Sequence, residues 1–334
     1  MQELQLAKNL VREFYHALDA AVDEECATVM QRYCAANLLW RGYHPFNELH
    51  DPEQVATQFW QPLKHALSSM QRRPDLFFAG RNEIDDYATI WVASMGHLMG
   101  LFDKPWLGIA PTRKMAMLRY ASFHQISNGC IAQTAMFFDI PHLMMQAGSN
   151  PFPIQTAAHL VQPGPMTHEG LLLAEQNSVE TEKTRAAINY MINDIKKWSG
   201  GREEPLVDEL RRSWNEDMIW WGPAGIGATY TIDRYAEQHS GPFRKAFTER
   251  TFNGHVCRLA EGHIGGFFGW PNLTLTNTGG FMGLPATGKP GDMRVIDMYR
   301  RDGDKLTENW VFIDLLHFWK QQGHDFLSDF KTEC

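Results

Sequence analysis

The chain has 334 residues, 44% of them hydrophobic and 21% charged, with a formal net charge of −8. That composition describes a globular protein and excludes a disordered or fibrous one, and the length is roughly twice the common domain size of about 100 to 150 residues. An acidic balance without a clustered basic face argues against nucleic acid as a partner, because phosphate neutralisation needs such a face.

Taken in order, Leu4 to Ala21 and Glu24 to Arg32 have helical spacing, and a short aromatic strand follows around Leu38 to Tyr43. The amino terminus is an amphipathic helix without an apolar signal core, and no run of about 18 apolar residues occurs, so neither a leader nor a membrane partner is expected and the location points to the cytoplasm. Asp51-Pro52-Glu53 starts a helix with an acidic cap and a proline in the first turn, and its periodicity runs to about Met70. Four strand-like stretches follow near 75–83, 87–100, 114–126 and 131–139. The last two flank Ser127-Asn128-Gly129, a turn signal that makes them a hairpin.

Downstream the same order recurs. Helices at Ala186 to Trp198 and Pro205 to Trp214 precede a Trp-rich strand, a helix from Ile232 to Phe247, and strands that end in a hairpin at Asp302-Gly303-Asp304. Phe137-Phe138-Asp139-Ile140-Pro141-His142 through Gly148 reads against Phe312-Ile313-Asp314-Leu315-Leu316-His317 through Gly323, both fitting F-x-D-x-x-H-x-x-x-Q-x-G at an offset of 314 − 139 = 175. The register extends upstream through Gly108 with Gly283 and Leu98 with Leu273. It then shifts to 220 − 40 = 180, where Trp40-Arg41-Gly42 pairs with Trp220-Trp221-Gly222. One shortened hairpin in the second copy, between the counterparts of Gly80 and Trp91, accounts for the change. The chain is therefore read as a tandem repeat: a first domain over 1–148, a linker over 149–175 with prolines at 151, 153, 163 and 165, and a second domain over 176–328. Helices first and strands afterward indicate α+β.

Helices followed by a bent antiparallel sheet, with a last strand Glu308-x-Trp310-x-x-x-Asp314 and a short helix ending in Gln-x-Gly, resemble the SnoaL-like polyketide cyclase family of the nuclear transport factor 2-like (NTF2-like) superfamily. The resemblance implies two tandem cone-shaped α+β barrels, each with N-terminal helices packed on a curved antiparallel sheet around an apolar pocket. It also implies aldol-type acid/base catalysis by an acidic residue of the last strand, with neither metal nor organic cofactor. Carried onto this chain, that residue is Asp314 in the second copy and Asp139 in the first. In the first copy Gln133 and Ala135 stand where the second has Glu308 and Trp310, which puts its activity in doubt.

Strand alternation places Glu308, Trp310, Phe312 and Asp314 on one face, either the pocket face or the outer one. On the pocket face, two carboxylates among aromatic rings would have raised pKa values suited to proton transfer. His317, three residues after Asp314, is a candidate donor or an orienting group, and Trp220, Trp221 and Trp270 offer further donors. The remaining expected pocket contacts are Trp310 and Phe312, with Trp40, Gln133 and Phe137 in the first copy. The competing reading of Asp314 and Asp139 is that each caps the helix that follows it. The histidines provide no third ligand for a metal, and the five scattered cysteines lack a C-x-x-C pair, which suggests neither a disulfide framework nor zinc. Gly279-Gly280-Phe281-Met282-Gly283 lacks the context of a phosphate loop and reads as a hairpin connection.

Two functions follow as expectations. One is a cyclase, isomerase or dehydratase acting on a small apolar carbonyl compound. The other is a non-catalytic carrier or sensor that keeps the pocket. The expected partners are a small apolar organic ligand and, within the chain, an internal pseudo-dimer of the two domains. Homodimerisation of whole chains is left open.

Overall fold

The structure, a computed structural model, describes residues 2–153, 157, 163–196 and 204–328. The chain forms two compact units: Met1–Asn150, Met166–Glu175 and Asp325–Cys334 make the first, and Pro151–Pro165 with Gln176–His324 the second. The proline-rich segment between the two copies is thus divided between the units.

In the first unit, α1 (Gln2–Ala20) buries Ala7, Val11, Phe14, Tyr15 and Leu18, the single stripe that its helical spacing dictates. A 3-10 turn leads into α2 (Cys26–Tyr33), then β1 (Cys34–Gly42) and β2 (Asn47–His50). Asp51 caps α3 (Pro52–Val55), accepting from the Gln54 amide at 2.8 Å, and a π turn over Ala56–Trp60 leads into α4 (Gln61–Ala66). The helical stretch ends at Ala66 rather than near Met70. From Leu67 the chain pairs with Phe102, so sheet pairing overrides local propensity there. Strands β3 (Leu67–Arg81), β4 (Ile90–Phe102), β5 (Met115–Ser127) and β6 (Cys130–Phe138) precede α5 (Ile140–Gln146). The sheet order is β2-β1-β6-β5-β4-β3.

The second unit repeats this plan. Helices α6 (Ser178–Lys196) and α7 (Leu206–Arg211) precede β7 (Trp214–Trp221) and β8 (Ala228–Tyr230). Trp214 opens a strand instead of closing a helix, and Trp198 lies outside the described residues. Then come α8 (Thr231–Tyr235), a π turn over Ala236–Ser240, and α9 (Gly241–Ala246). Strands β9 (Phe247–Phe252), β10 (Cys257–Glu261), β11 (Ile264–Asn277), β12 (Pro290–Asp302) and β13 (Lys305–Ile313) are followed by α10 (Leu315–Gln322). The order is β10-β11-β12-β13-β7-β8, with β9 also paired to β11.

Each sheet is antiparallel except where its first long strand lies parallel to its last, β1 with β6 and β7 with β13. This pairing sets Trp40 beside Thr134 and Trp220 beside Asn309. The shift in repeat register also has a structural basis: the 82–89 connection between β3 and β4 shortens to Gly262-His263 between β10 and β11, and β11 is irregular between Gly269 and Leu273, so the net change of five residues arises over this hairpin. The shared Trp-x-Gly is steric. A Cβ on Gly42 would lie 1.9 Å from the Trp40 ring, and one on Gly222 1.9 Å from the Trp220 ring, so only glycine lets each indole fold back along its strand. Among the described residues no helix is long and apolar enough to cross a membrane.

Candidate functional site

A cavity of about 190 Å³ lies inside the second unit, between its sheet and the α8–α9 segment. β12 contributes Met293, Val295, Asp297 and Tyr299, and β13 contributes Asn309, Val311 and Ile313, alternate residues of two paired strands. The indoles of Trp214 and Trp220, with Tyr235, His239 and Phe243, complete an aromatic wall.

Asp297 is the acidic group that lines this wall. It is half-buried at the cavity wall, and removal from bulk water raises its carboxyl to about 7. Asn309 Nδ2 donates to Asp297 Oδ1 at 3.1 Å and to the Met298 carbonyl at 3.0 Å, which aims the amide at the carboxylate. Asn309 and the neighbouring Tyr299 both favour the ionised form, but they offset only part of the burial penalty. Burial pushes the phenols of Tyr235 and Tyr299 upward, reinforced at each by the charge of Asp297, so both remain O–H donors at neutral pH. His239 stacks on Trp220 with centroids 3.8 Å apart and planes at 19°, and burial lowers its pKa to about 3, leaving the ring neutral. Arg244, which also lines the cavity, is occupied by a two-pronged pair with buried Glu209 at 2.8 and 2.6 Å.

The residues expected from the last strand lie on its other face. Glu308, Trp310, Phe312 and Asp314 alternate with Asn309, Val311 and Ile313 and do not line the cavity. β13 is buried on both faces from Leu306 to Ile313, so its sequence has no polar alternation to mark the pocket side. Asp314, fully buried, accepts from the His317 backbone amide at 3.1 Å as the cap of α10 and lies 3.6 Å from Arg294. The guanidinium of Arg294 in turn stacks on Trp270, 3.8 Å from the ring centre. Glu308 is ion-paired with Arg300 across the strand pair. Trp310 donates to the Pro163 carbonyl at 2.9 Å, Trp221 packs edge-on against Tyr230, and Phe312 is buried. Of the second-copy residues expected at the pocket, Trp220 lines the cavity.

The first unit repeats the cap and not the cavity chemistry. Asp139 accepts from the His142 amide at 3.1 Å. Burial lowers the neighbouring Arg119 to about 9, an effect that the charges of Asp139 and Asp75 oppose. Gln133 accepts from Arg41 at 2.8 Å and Phe137 packs against Tyr43, both on the face opposite Thr134 and Met136. Trp40 is core, 5.2 Å from the Phe59 ring. At the position of Asp297 stands Ser122 (297 − 175 = 122), hydrogen-bonded to the Tyr15 hydroxyl, which also meets His124 Nε2 at 2.8 Å. His124 is held near 3 by burial and reaches Thr134 through Nδ1 at 2.9 Å.

Asp297 was not singled out in the sequence, because a search for self-similarity picks out what two copies share and this position differs between them. The available signal was an acidic residue among alternating apolar ones in Met293-Arg294-Val295-Ile296-Asp297-Met298-Tyr299.

Residues 270–322 match the family described as SnoaL-like polyketide cyclase. That stretch includes Asp297, Tyr299 and Asn309, whereas Trp220, Tyr235 and His239 precede it. A solved structure from Jannaschia sp. CCS1 described as SnoaL-like is 15% identical, covering 42% of this chain and 92% of its own at a TM-score of 0.34. NTF2-like proteins from Burkholderia thailandensis E264 (18% identical, 42% of this chain and 96% of its own, TM-score 0.32) and Burkholderia xenovorans LB400 (13%, 42% and 97%, 0.33) are similar to the same extent. No curated protein matches. The chain carries a SnoaL-like match in its second unit, on an α+β plan that its two units share.

Proposed function

We propose that the second unit is a cofactor-independent acid/base enzyme of the cyclase, isomerase or dehydratase type, acting on a small apolar carbonyl compound with Asp297 as its proton-transfer group. The observation that carries this reading is a carboxyl held at about 7 inside an aromatic cavity. Near neutral pH such a group is present both as base and as acid, the condition for taking a proton and returning it. The largely aromatic and aliphatic lining limits the water that competes with the protein's donors for the developing enolate.

In the proposed cycle, the carboxylate of Asp297 takes the proton from the carbon next to the substrate carbonyl, and the bonding pair moves into the C–C bond as the carbonyl oxygen becomes an enolate. The Tyr235 hydroxyl donates to that oxygen, while the Tyr299 hydroxyl, which bonds Asp297, steadies the carboxylate. Asn309 has both amide hydrogens engaged and holds the carboxylate in place. The enolate then attacks a second carbonyl, is reprotonated at another carbon, or expels a leaving group, and the proton on Asp297 completes the turnover in each case. An apolar cavity of about 150 Å³ holds benzene, so about 190 Å³ suits a ligand of one or two rings. The first unit, with Ser122 engaged by Tyr15, is assigned no such chemistry.

The test compares Asp297→Asn with Asp314→Asn over a panel of small ring-bearing carbonyl compounds, with turnover followed by mass spectrometry. The proposal requires turnover by the wild type and by Asp314→Asn, and a loss of about 100-fold or more with Asp297→Asn. The opposite pattern returns the role to Asp314. Binding without turnover by every variant makes the protein a carrier.

A further inference from the structure

The π turn over Ala236–Ser240 has its counterpart at Ala56–Trp60 in the first unit, and there Phe59 holds the place of His239 (239 − 180 = 59). Phe59 packs on Trp40 at 5.2 Å as His239 packs on Trp220 at 3.8 Å. The fold therefore needs an aromatic ring at this position, and a phenyl suffices. The imidazole adds two nitrogens to a side chain that lines a largely apolar cavity. His239 is 8% exposed, it lines the cavity, and its Nδ1 is buried with no hydrogen-bond partner among the described residues. A buried polar atom left unpaired is costly, and packing alone gives no return for it.

We propose that His239 is the specificity-determining residue of the second-unit cavity, pairing with a hydroxyl group on a flat ligand. The inference rests on the reading of the cavity as a carbonyl site and adds a second polar requirement to it. The ligand is then a hydroxylated ring ketone or aldehyde rather than a plain hydrocarbon one. A neutral imidazole has one N–H and one lone pair, so it meets a hydroxyl as donor or as acceptor without charge. A half-turn of the ring about its Cβ–Cγ bond exchanges nitrogen for carbon along its edge while keeping its plane on Trp220, so the stack leaves the choice of nitrogen to the ligand.

The test is calorimetric titration of the full chain with acetophenone and with 4-hydroxyacetophenone, which differ by the one hydroxyl. Wild type is expected to prefer the hydroxylated compound by about tenfold, the net effect of one buried hydrogen bond. His239→Phe, which installs the residue the first unit carries, is expected to bring that ratio close to one, and only the ratio of the two affinities is read. His239→Gln, which keeps a donor and an acceptor, is expected to retain part of the preference. Acetophenone binding with no preference in wild type, or an undiminished preference in His239→Phe, overturns the role of His239 and leaves the carbonyl site standing. Failure of wild type to bind either compound overturns both. A wild-type ratio near one overturns the role without any variant, and a wild-type preference is assigned to His239 only by its loss in His239→Phe and its partial return in His239→Gln.

Discussion

Asp297→Asn should make the second unit more stable at neutral and alkaline pH. The carboxyl is raised from 3.8 to about 7 in the folded chain, so between those values the native state holds a proton that the unfolded state has released. Stability from this group is therefore highest below about pH 4, falls as pH rises, and levels off above about pH 7. At 1.36 kcal/mol per pKa unit, a rise of about 3 units corresponds to a penalty of up to about 4 kcal/mol at pH 8, an upper value because the cavity admits some solvent. Asparagine keeps an oxygen to accept from Asn309 and carries no charge, so it removes the penalty and little else. The assay is urea unfolding of wild type and Asp297→Asn at several pH values from 3.5 to 8.5. Only the difference between the two curves is read, because His239 and His255, both depressed to about 3, impose the opposite slope below about pH 6.5 in both proteins. The variant should gain steadily between pH 4 and 7 and hold that gain above it. A difference independent of pH, or a loss of stability at pH 8, would refute the assignment of a protonated carboxyl to the cavity.

The shared aspartates should behave as caps. Asp139→Ala and Asp314→Ala are each expected to cost about 1–2 kcal/mol in urea unfolding, with the asparagine replacements costing less because they can still accept from His142 and His317. Gly222→Ala should drive the Trp220 ring from its place, since the added Cβ would lie 1.9 Å from it. The expected result is a loss of about 1–3 kcal/mol, together with weaker ligand binding in the cavity that Trp220 lines, both read from calorimetry.

Local rules carried the sequence reading where one element determined its own geometry. Asp51-Pro52 sets a helix start, Ser127-Asn128-Gly129 sets a hairpin, and the stripe on α1 sets its buried face. The register change between the copies located a loop deletion without a coordinate. The helix limit at Ala66 was not legible, because it depends on pairing with Phe102 some 35 residues away (102 − 67 = 35), which local periodicity does not contain. The face of β13 failed for a related reason. Leu306 to Ile313 is buried throughout, and in Glu308-Asn309-Trp310-Val311-Phe312-Ile313 either parity can serve as the inner one.

The larger lesson concerns what a duplication preserves. Two copies of one fold keep in common whatever both require to fold: the helix-capping pair Asp139 and Asp314, and the Trp-x-Gly that lets Trp40 and Trp220 fold back. Identity between the copies thus selects structural residues, and a carboxylate found that way is a cap before it is a catalyst. The cavity's chemistry lies in the substitutions, with Ser122 against Asp297, His124 against Tyr299, Thr134 against Asn309 and Phe59 against His239. In the first unit Ser122, His124 and Thr134 are joined in one closed network with Tyr15, and Phe59 fills the core. In the second, four side chains at the same positions border an open space, with a carboxyl poised near neutrality and an imidazole nitrogen without a hydrogen-bond partner among the described residues. The two units thus share a plan and differ in what fills it, and on the proposed function the difference between the copies, read position by position, is the map of the site.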